Sequence, residues 1–214
     1  MIASSLAPIL QGSKGMELWE KLKNFSAKEV EWVLRDWSTW ARPNQLIPGN
    51  VNPRTEDGTW QVWLIDAGRG FGKTRTGAET TREWTKHFKY VNLVGATADD
   101  ARDIMIEGES GILACCRRDE RPEYKKSERK LLWPNGAVSL IFTADEPDRA
   151  RGKQSEKLWA DEVAAWRYRD AWDQLMLGLR LGSSPQCVAT TTPRPIPLIK
   201  EILADPFTLV TSGT

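Results

Sequence analysis

Only one histidine, His87, occurs among 214 residues. A Ser-His-Asp relay and a histidine-rich metal centre are therefore poor expectations. Cysteine is scarce as well: Cys115 and Cys116 are adjacent and Cys187 stands alone. That spacing holds neither a CxxC pair nor a disulfide framework, and it predicts free thiols. No apolar run approaches the roughly 18 residues that would cross a bilayer. The start, MIASSLAPILQGSKG, has no basic segment ahead of its short apolar stretch and makes a poor secretion signal. A cytoplasmic protein with no membrane partner is expected. Net charge is almost absent too, since 30 Lys and Arg face 29 Asp and Glu. Bulk charge thus does not announce a nucleic-acid binder. The basic pairs Arg117-Arg118, Lys125-Lys126 and Arg129-Lys130 are interleaved with acids, as on an ordinary solvated surface.

What is present points to a globular chain. Hydrophobic residues make up 40% and charged residues 28%, enough for one domain with a full core. Eleven tryptophans are best read as core packing. Over residues 16–40, Leu18, Leu22 and Phe25 recur on one face, then Val30, Val33 and Trp37 on another. This pattern predicts two short helices divided near Ser26, a suitable N-cap. A Pro-, Asn- and Gly-rich connection follows. From residue 60 onward strands and helices alternate. Strands are expected at 60–67, 90–97, 156–162, 184–192 and over the last residues, with a hairpin at 127–144 turning at Pro134-Asn135-Gly136. Helices are expected at 73–88, after Ala98, near 170–180 and near 196–203. Such repeated β-α units predict an α/β fold with a mostly parallel sheet covered on both faces.

The stretch AGRGFGKTRTGAE, Ala67 to Glu79, sits between an expected strand and an expected helix. The phosphate-binding pattern GxxxxGK[ST] is met at Gly72, Lys73 and Thr74, while Ala67 replaces its first glycine. Gly68, Gly70 and Gly72 leave the backbone able to turn sharply and approach a ligand. Backbone N–H groups from Ala67 through Arg75, including those of Arg69 and Phe71, would then converge on phosphate oxygens. Lys73 would reach the β- and γ-phosphates of ATP, and Thr74 would place its hydroxyl on Mg²⁺. A glycine-rich turn that merely precedes a lysine is the bland alternative. The strand–loop–helix context weighs against it.

A second motif weighs further. KLWADE ends an expected strand in two adjacent acids. Asp161 could hold Mg²⁺ and Glu162 could polarise the attacking water as general base. An acidic helix start is the plain alternative, and Lys157 interrupts the strand's apolar character. A third segment, ATTTPRP at 189–195, ends a strand in hydroxyls and could sense a γ-phosphate at Thr190–Thr192.

Taken in order, these segments resemble the ATPase domain of the large terminase subunit, the DNA-packaging motor of tailed bacteriophages. ARPNQLIP resembles the family's segment before the phosphate loop, in which a glutamine, here Gln45, contacts the adenine. GRGFGKTRTGAE resembles its phosphate loop, where departures at the first position are common. LLWPNGAVSLIFTADEPDRARGKQSEKLWADE resembles the hairpin, the RG segment and the acid strand, and ATTTPRPIPLIKEIL the coupling motif. The resemblance implies a P-loop NTPase of the additional-strand glutamate type. It divides the chain into a helical N-terminal segment with an adenine-side connection at 1–45 and an ATPase domain at 46–214. It also implies Mg-dependent ATP hydrolysis by a homo-oligomeric ring on the portal, with a monomer in isolation. The implied partners are double-stranded DNA, the portal protein and the small terminase subunit, in the cytoplasm of the infected host.

An arginine finger acting on the neighbouring subunit is implied as well. Arg151 matches the RG position, with Arg149 as its rival, and Arg69 could act within its own site. A structural salt bridge at Arg151 weighs equally. The family normally continues into a nuclease domain, which does not fit after the last expected strand. The expectation is a fragment that hydrolyses ATP and cuts no DNA of its own. Two rival functions stand beside this one: a helicase-like DNA-dependent ATPase, and an assembly module that switches on ATP with little turnover.

Overall fold

The computed structural model describes residues 20–213. Leu18, and with it most of the first expected helix, lies outside the described residues. The second helix, α1 (Ala27–Leu34), begins where expected. The Ser26 hydroxyl accepts from the Glu29 amide at 3.3 Å, and the Glu29 carboxylate accepts from the Ser26 amide at 2.8 Å. This reciprocal cap satisfies two donors that the helix start would otherwise leave bare. Leu22, Phe25, Val30 and Val33 form one small cluster, so the two apolar faces meet each other. Trp37 does not continue α1. It opens the one-turn helix α2 (Trp37–Trp40), because the backbone leaves the helical region at Asp36.

The core is an eight-stranded sheet. Its strands are β1 (Val62–Ala67), β2 (Val91–Gly95), β3 (Glu123–Lys125), β4 (Lys130–Leu132), β5 (Val138–Thr143), β6 (Lys157–Ala160), β7 (Gln186–Thr191) and β8 (Thr208–Gly213). Their spatial order is β3-β4-β5-β2-β6-β7-β1-β8. The six strands from β5 to β8 run parallel, and β3 and β4 add an antiparallel edge. The expected hairpin is β4–β5. Strand β3, only three residues long and charged at both ends, is an addition to the expected set.

Because side chains alternate along a strand, the apolar run of β1 feeds two cores at once. Trp63, Ile65 and Ala67 face one cluster with α3 (Lys73–Thr85) and α4 (Ile112–Cys115). Val62 and Leu64 face the other, with α5 (Arg169–Gly178) and α6 (Pro197–Ala204). The acidic segment after β2 winds as a π-helix, Asp100–Ile106, in place of the α-helix expected there. Cys115, Cys116 and Cys187 are free and buried, and burial pushes their thiol pKa values up.

Lys157 is no interruption of its strand's packing. It is buried, and its Nζ donates to the Ser184 carbonyl and to Gln186 Oε1, both at 2.6 Å. The Phe88 ring lies 4.2 Å from it, and burial lowers its pKa to about 8.

Helix α3 packs directly on the sheet at Gly77. A Cβ there would lie 2.1 Å from Cε2 and 2.3 Å from Nε1 of the buried Trp159. Overpacking of this kind costs on the order of 1–3 kcal/mol. Gly77→Ala is therefore expected to reduce the unfolding free energy from urea titration by that amount. An unchanged value would show that α3 can lift from the sheet without cost.

Candidate nucleotide-binding site

Six parallel strands present their C-terminal ends along one edge, and the phosphate loop and both acids expected from the sequence fall there. Strand β7 pairs with β1 on one side and β6 on the other. It therefore brings the phosphate loop, the hydroxyl-rich strand end and the two acids side by side. Thr190 lies opposite Ile65, and Thr191 opposite Asp66.

The loop after β1 turns through Gly70 (φ 84°) and Gly72 (φ 87°), both in the left-handed region that favours glycine. Arg69 and Gly70 form its exposed tip, and a Cβ on Gly70 would meet nothing within 4 Å. The loop is thus an open cradle. Thr74 stands partly buried in the first turn of α3. Lys73 Nζ donates to the carbonyls of Ala67 (2.8 Å) and Gly68 (3.1 Å) and to Thr192 Oγ1 (3.3 Å). All three ammonium donors are used inside the chain.

The base of the loop is held from two sides. The Phe71 carbonyl accepts from Gln45 Nε2 at 2.9 Å and from Arg42 Nη2 at 2.5 Å. Arg42 also lies 4.9 Å over the Phe71 ring, and its amide donates to Gln45 Oε1 at 3.1 Å. Gln45 is 5% exposed, so its amide is bound to the loop backbone here. Arg42 was not singled out from the sequence. Its signal is the ARPNQ segment itself, two of whose polar side chains converge on one carbonyl. On the other side, the Gly68 amide donates to the Gly213 carbonyl at 3.0 Å, and a Cβ on Gly213 would lie 2.3 Å from the Phe71 ring. Strand β8 therefore buttresses the loop.

Arg75 turns away from the cradle. Its Nε donates to Glu79 at 2.9 Å, and its guanidinium lies 5.7 Å over Trp37. Glu79 is buried between Arg75 and Arg82, and Arg82 reaches both Glu120 and the Arg35 carbonyl. This ion network ties α3 to the N-terminal helices.

The two acids are organised by one hydroxyl. Thr190 Oγ1 donates to Asp161 Oδ1 at 2.7 Å and accepts from the Glu162 amide at 3.0 Å. Asp161 is 8% exposed, and burial pushes its pKa up to about 6 against the pull of the Thr190 hydrogen bond. Glu162 adopts a left-handed backbone, φ 48° and ψ 53°, which is costly for a residue with a Cβ. Its Oε1 accepts from the Thr192 amide at 2.9 Å. The strained turn is thus fixed at its amide and its carboxylate by the same strand end. The sequence marks Thr190 only as a phosphate sensor. Its bridging position follows from β6–β7 adjacency, which no local motif shows.

Arg149 and Arg151 are not brought to this site within the chain. Arg151 is 68% exposed and pairs with Asp148 at 3.1 Å, and Arg149 pairs with Glu146 at 3.5 Å. No group of three or more His, Cys, Asp or Glu side chains able to hold a metal occurs among the described residues. The hydroxyl of Thr74 and the carboxylate of Asp161 are hard oxygen donors, of the kind a hard cation takes.

A cradle of backbone after the first strand, an inserted strand, and an acid pair on the next define the class: a P-loop NTPase with an additional strand. Residues 64–208, more than half of the chain, match the family "Terminase large subunit, T4likevirus-type, N-terminal". The chain belongs to that family. The large terminase of a thermophilic bacteriophage is similar in structure, with a TM-score of 0.62 at 16% identity. That match covers 85% of this chain, which spans 44% of the phage protein. The large terminase ATPase domain of Thermus phage P74-26 is similar with a TM-score of 0.55 at 15% identity, covering 78% of this chain and 81% of that one. The first of these terminases, in complex with ADP, gives 0.59 at 16% identity, over 85% and 44%. No curated protein is similar enough in sequence to match.

The Thr190 bridge generates a prediction. Thr190→Val keeps the strand's volume and removes the hydroxyl. Supporting residues of this kind are worth about 10–100-fold. Thr190→Val is expected to lose ATP turnover by that factor and to melt at a lower temperature, since it leaves the buried Asp161 and the Glu162 amide without their shared partner, and Thr190→Ser to restore most of both. Equal turnover in the valine variant would show that the bridge does no chemical service.

Proposed function

We propose that this chain is the ATP-hydrolysing part of a viral DNA-packaging terminase, which moves double-stranded DNA into a procapsid. The observation that carries the reading is the convergence of Lys73, Thr74, Asp161 and Glu162 on one sheet edge, with Thr190 joining the acids. ATP would lie in the cradle from Ala67 to Arg75, its phosphates on the backbone amides and the N-terminus of α3. The buried Gln45 supports that cradle from behind and is the residue assigned to the adenine side. Thr74 and Asp161 would hold Mg²⁺, which when bound supplies charge neutralisation at the phosphates.

The chain's own groups do the rest. Lys73 exchanges the Ala67 and Gly68 carbonyls for phosphate oxygens. Glu162, fixed through Oε1, uses its second carboxylate oxygen to take a proton from a water aimed in line at the γ-phosphate. Thr192 touches both Lys73 and Glu162, so departure of the phosphate can be read along Thr190–Thr192. An exposed arginine from a neighbouring copy completes the charge balance. Arg151 is the first choice and Arg149 the second, and such fingers contribute on the order of 10³–10⁵ in rate. Arg69, at the loop tip, is the candidate for action within its own site.

In organisation, 1–45 is assigned as the N-terminal segment with the adenine-side connection, of which Arg42 and Gln45 brace the loop, and 46–214 as the ATPase domain. The working assembly is a ring on a portal protein, fed by a small terminase subunit, in the cytoplasm of the infected bacterium. A nucleotide switch with little turnover is the second reading. It is favoured by Lys73, whose three donors are already satisfied in the chain.

The tests separate these. Lys73→Ala is expected to abolish tight ATP binding by calorimetry, and unchanged affinity would remove the loop from the site. Glu162→Gln is expected to bind ATP normally and lose turnover by at least about 10²-fold; normal turnover would sink its role as base. Mixing Arg151→Ala with Lys73→Ala subunits is expected to recover part of the activity, because an interface whose cradle comes from the Arg151→Ala subunit and whose finger comes from the Lys73→Ala subunit is intact. A mixture as dead as its components would place the arginine elsewhere.

A further inference from the structure

Beside the nucleotide site lies a second cleft, of about 190 Å³, on the same sheet edge. Its polar lining is Arg102, Tyr124, Lys126, Arg129 and Thr143, and two alanines and an isoleucine complete it. Three cations line it and no acid does. We propose that this cleft binds a phosphodiester of the DNA backbone, a reading that rests on the packaging function proposed above.

Thr143 is the most specific sign. It is 3% exposed, and its Oγ1 has no hydrogen-bond partner among the described residues. A buried hydroxyl left unpaired is costly, and a ligand oxygen arriving in the cleft would complete it. The cations above it have exposed carboxylates as their ion-pair partners, and Lys126 also lies 5.7 Å over the Tyr124 ring. Arg102 pairs with Asp99 at 2.8 Å and Asp103 at 2.6 Å, Lys126 with Glu107 at 2.7 Å, and Arg129 with Glu146 at 2.6 Å. Those carboxylates are between 36% and 78% exposed. Ion pairs so open to water are weak and readily exchanged for a phosphate, to which arginine forks and a lysine point charge are well suited.

The local backbone is unusual at two of the three cations. Arg102 rides on the π-helix, and Arg129 takes a left-handed φ of 48°. Both features aim a side chain where a regular element would not. The cleft is smaller than the roughly 300–1,000 Å³ typical of drug-sized ligands. It suits one phosphate group and excludes a whole nucleoside. Base identity would then go unread, as a motor that must accept any sequence requires.

The cleft lies near the nucleotide site. Thr143 pairs with Gly95 in β2, and the Asp161 amide donates to the Val94 carbonyl at 2.9 Å. Thr143 and Asp161 are therefore two strand spacings apart, about 10 Å.

The experiment measures binding of a fluorescent duplex of about 30 base pairs, longer than one phosphate site needs, to the whole chain at several salt concentrations. The variants are Arg102→Gln with Lys126→Gln, and separately Thr143→Val. A control removes the same charge elsewhere through Lys28→Gln with Lys200→Gln. The cleft variants are expected to lose affinity by roughly an order of magnitude, and the charge variant to flatten the salt slope by about 1 for each phosphate no longer neutralised. ATP binding should stay unchanged, and the control should bind like wild type. Equal weakening in cleft and control variants would reduce the effect to bulk charge and overturn the proposal. Unchanged duplex binding with weaker inorganic phosphate binding would make the cleft a free-anion site and overturn it too. If the wild-type chain binds no duplex at all while hydrolysing ATP, the packaging reading itself fails along with the cleft.

Discussion

Strand β7 is hydrogen-bonded along both edges, to the strand that launches the phosphate loop and to the strand that ends in the acid pair. Everything chemical in the protein depends on that insertion. Parallel pairing fixes the register of β1, β7 and β6, with Ala160 opposite Ala189 and Asp66 opposite Thr191, so their ends are held at set offsets. The spacing between loop and acids is then set by strand width and needs no flexible side chain to span it. Thr190 occupies the gap. Its hydroxyl is the one group, among the described residues, that touches both acids, and the strained backbone of Glu162 is tolerable because β7 fixes it at two points.

Around this centre the fold supplies bracing more than additional chemistry. Arg42 and Gln45 seize one carbonyl of the loop, Gly213 approaches it from the far edge, and Gly77 lets α3 lie directly on Trp159. The buried ion network from Arg75 to Glu120 then ties α3 to the N-terminal helices. A buried charge pair contributes little net stability, but losing one partner strands the other. Its role is to fix the register of α3 against the N-terminal segment.

Much of this was legible in the sequence, and the reason is physical. The strand at β1 is a run of apolar residues stopped by glycines, and the cradle needs glycine where φ is positive. The pair Asp161-Glu162 stands at the end of an apolar strand, where burial of one and strain of the other are natural. The unread parts are those in which distant segments decide. Strand β3 carries three residues with no apolar alternation. The π-helix has the same spacing of apolar residues as an α-helix over so short a span. Arg42 satisfies a carbonyl 29 residues away, and Lys157 finds its acceptors on a segment 27 residues further along. Thr190 is one of three adjacent threonines in the sequence, and only the placing of β7 between β1 and β6 sets it apart.

The most direct measurement is a crystal structure of the chain with Mg²⁺ and a non-hydrolysable ATP analogue. The account predicts phosphates in the cradle, with Lys73 Nζ moved off the Ala67 and Gly68 carbonyls. Thr74 and Asp161 should lie at the metal, and the Thr190 hydroxyl should still join Asp161 to the Glu162 amide. Nucleotide bound elsewhere, or a Lys73 still bonded to its own loop beneath the phosphates, would contradict it.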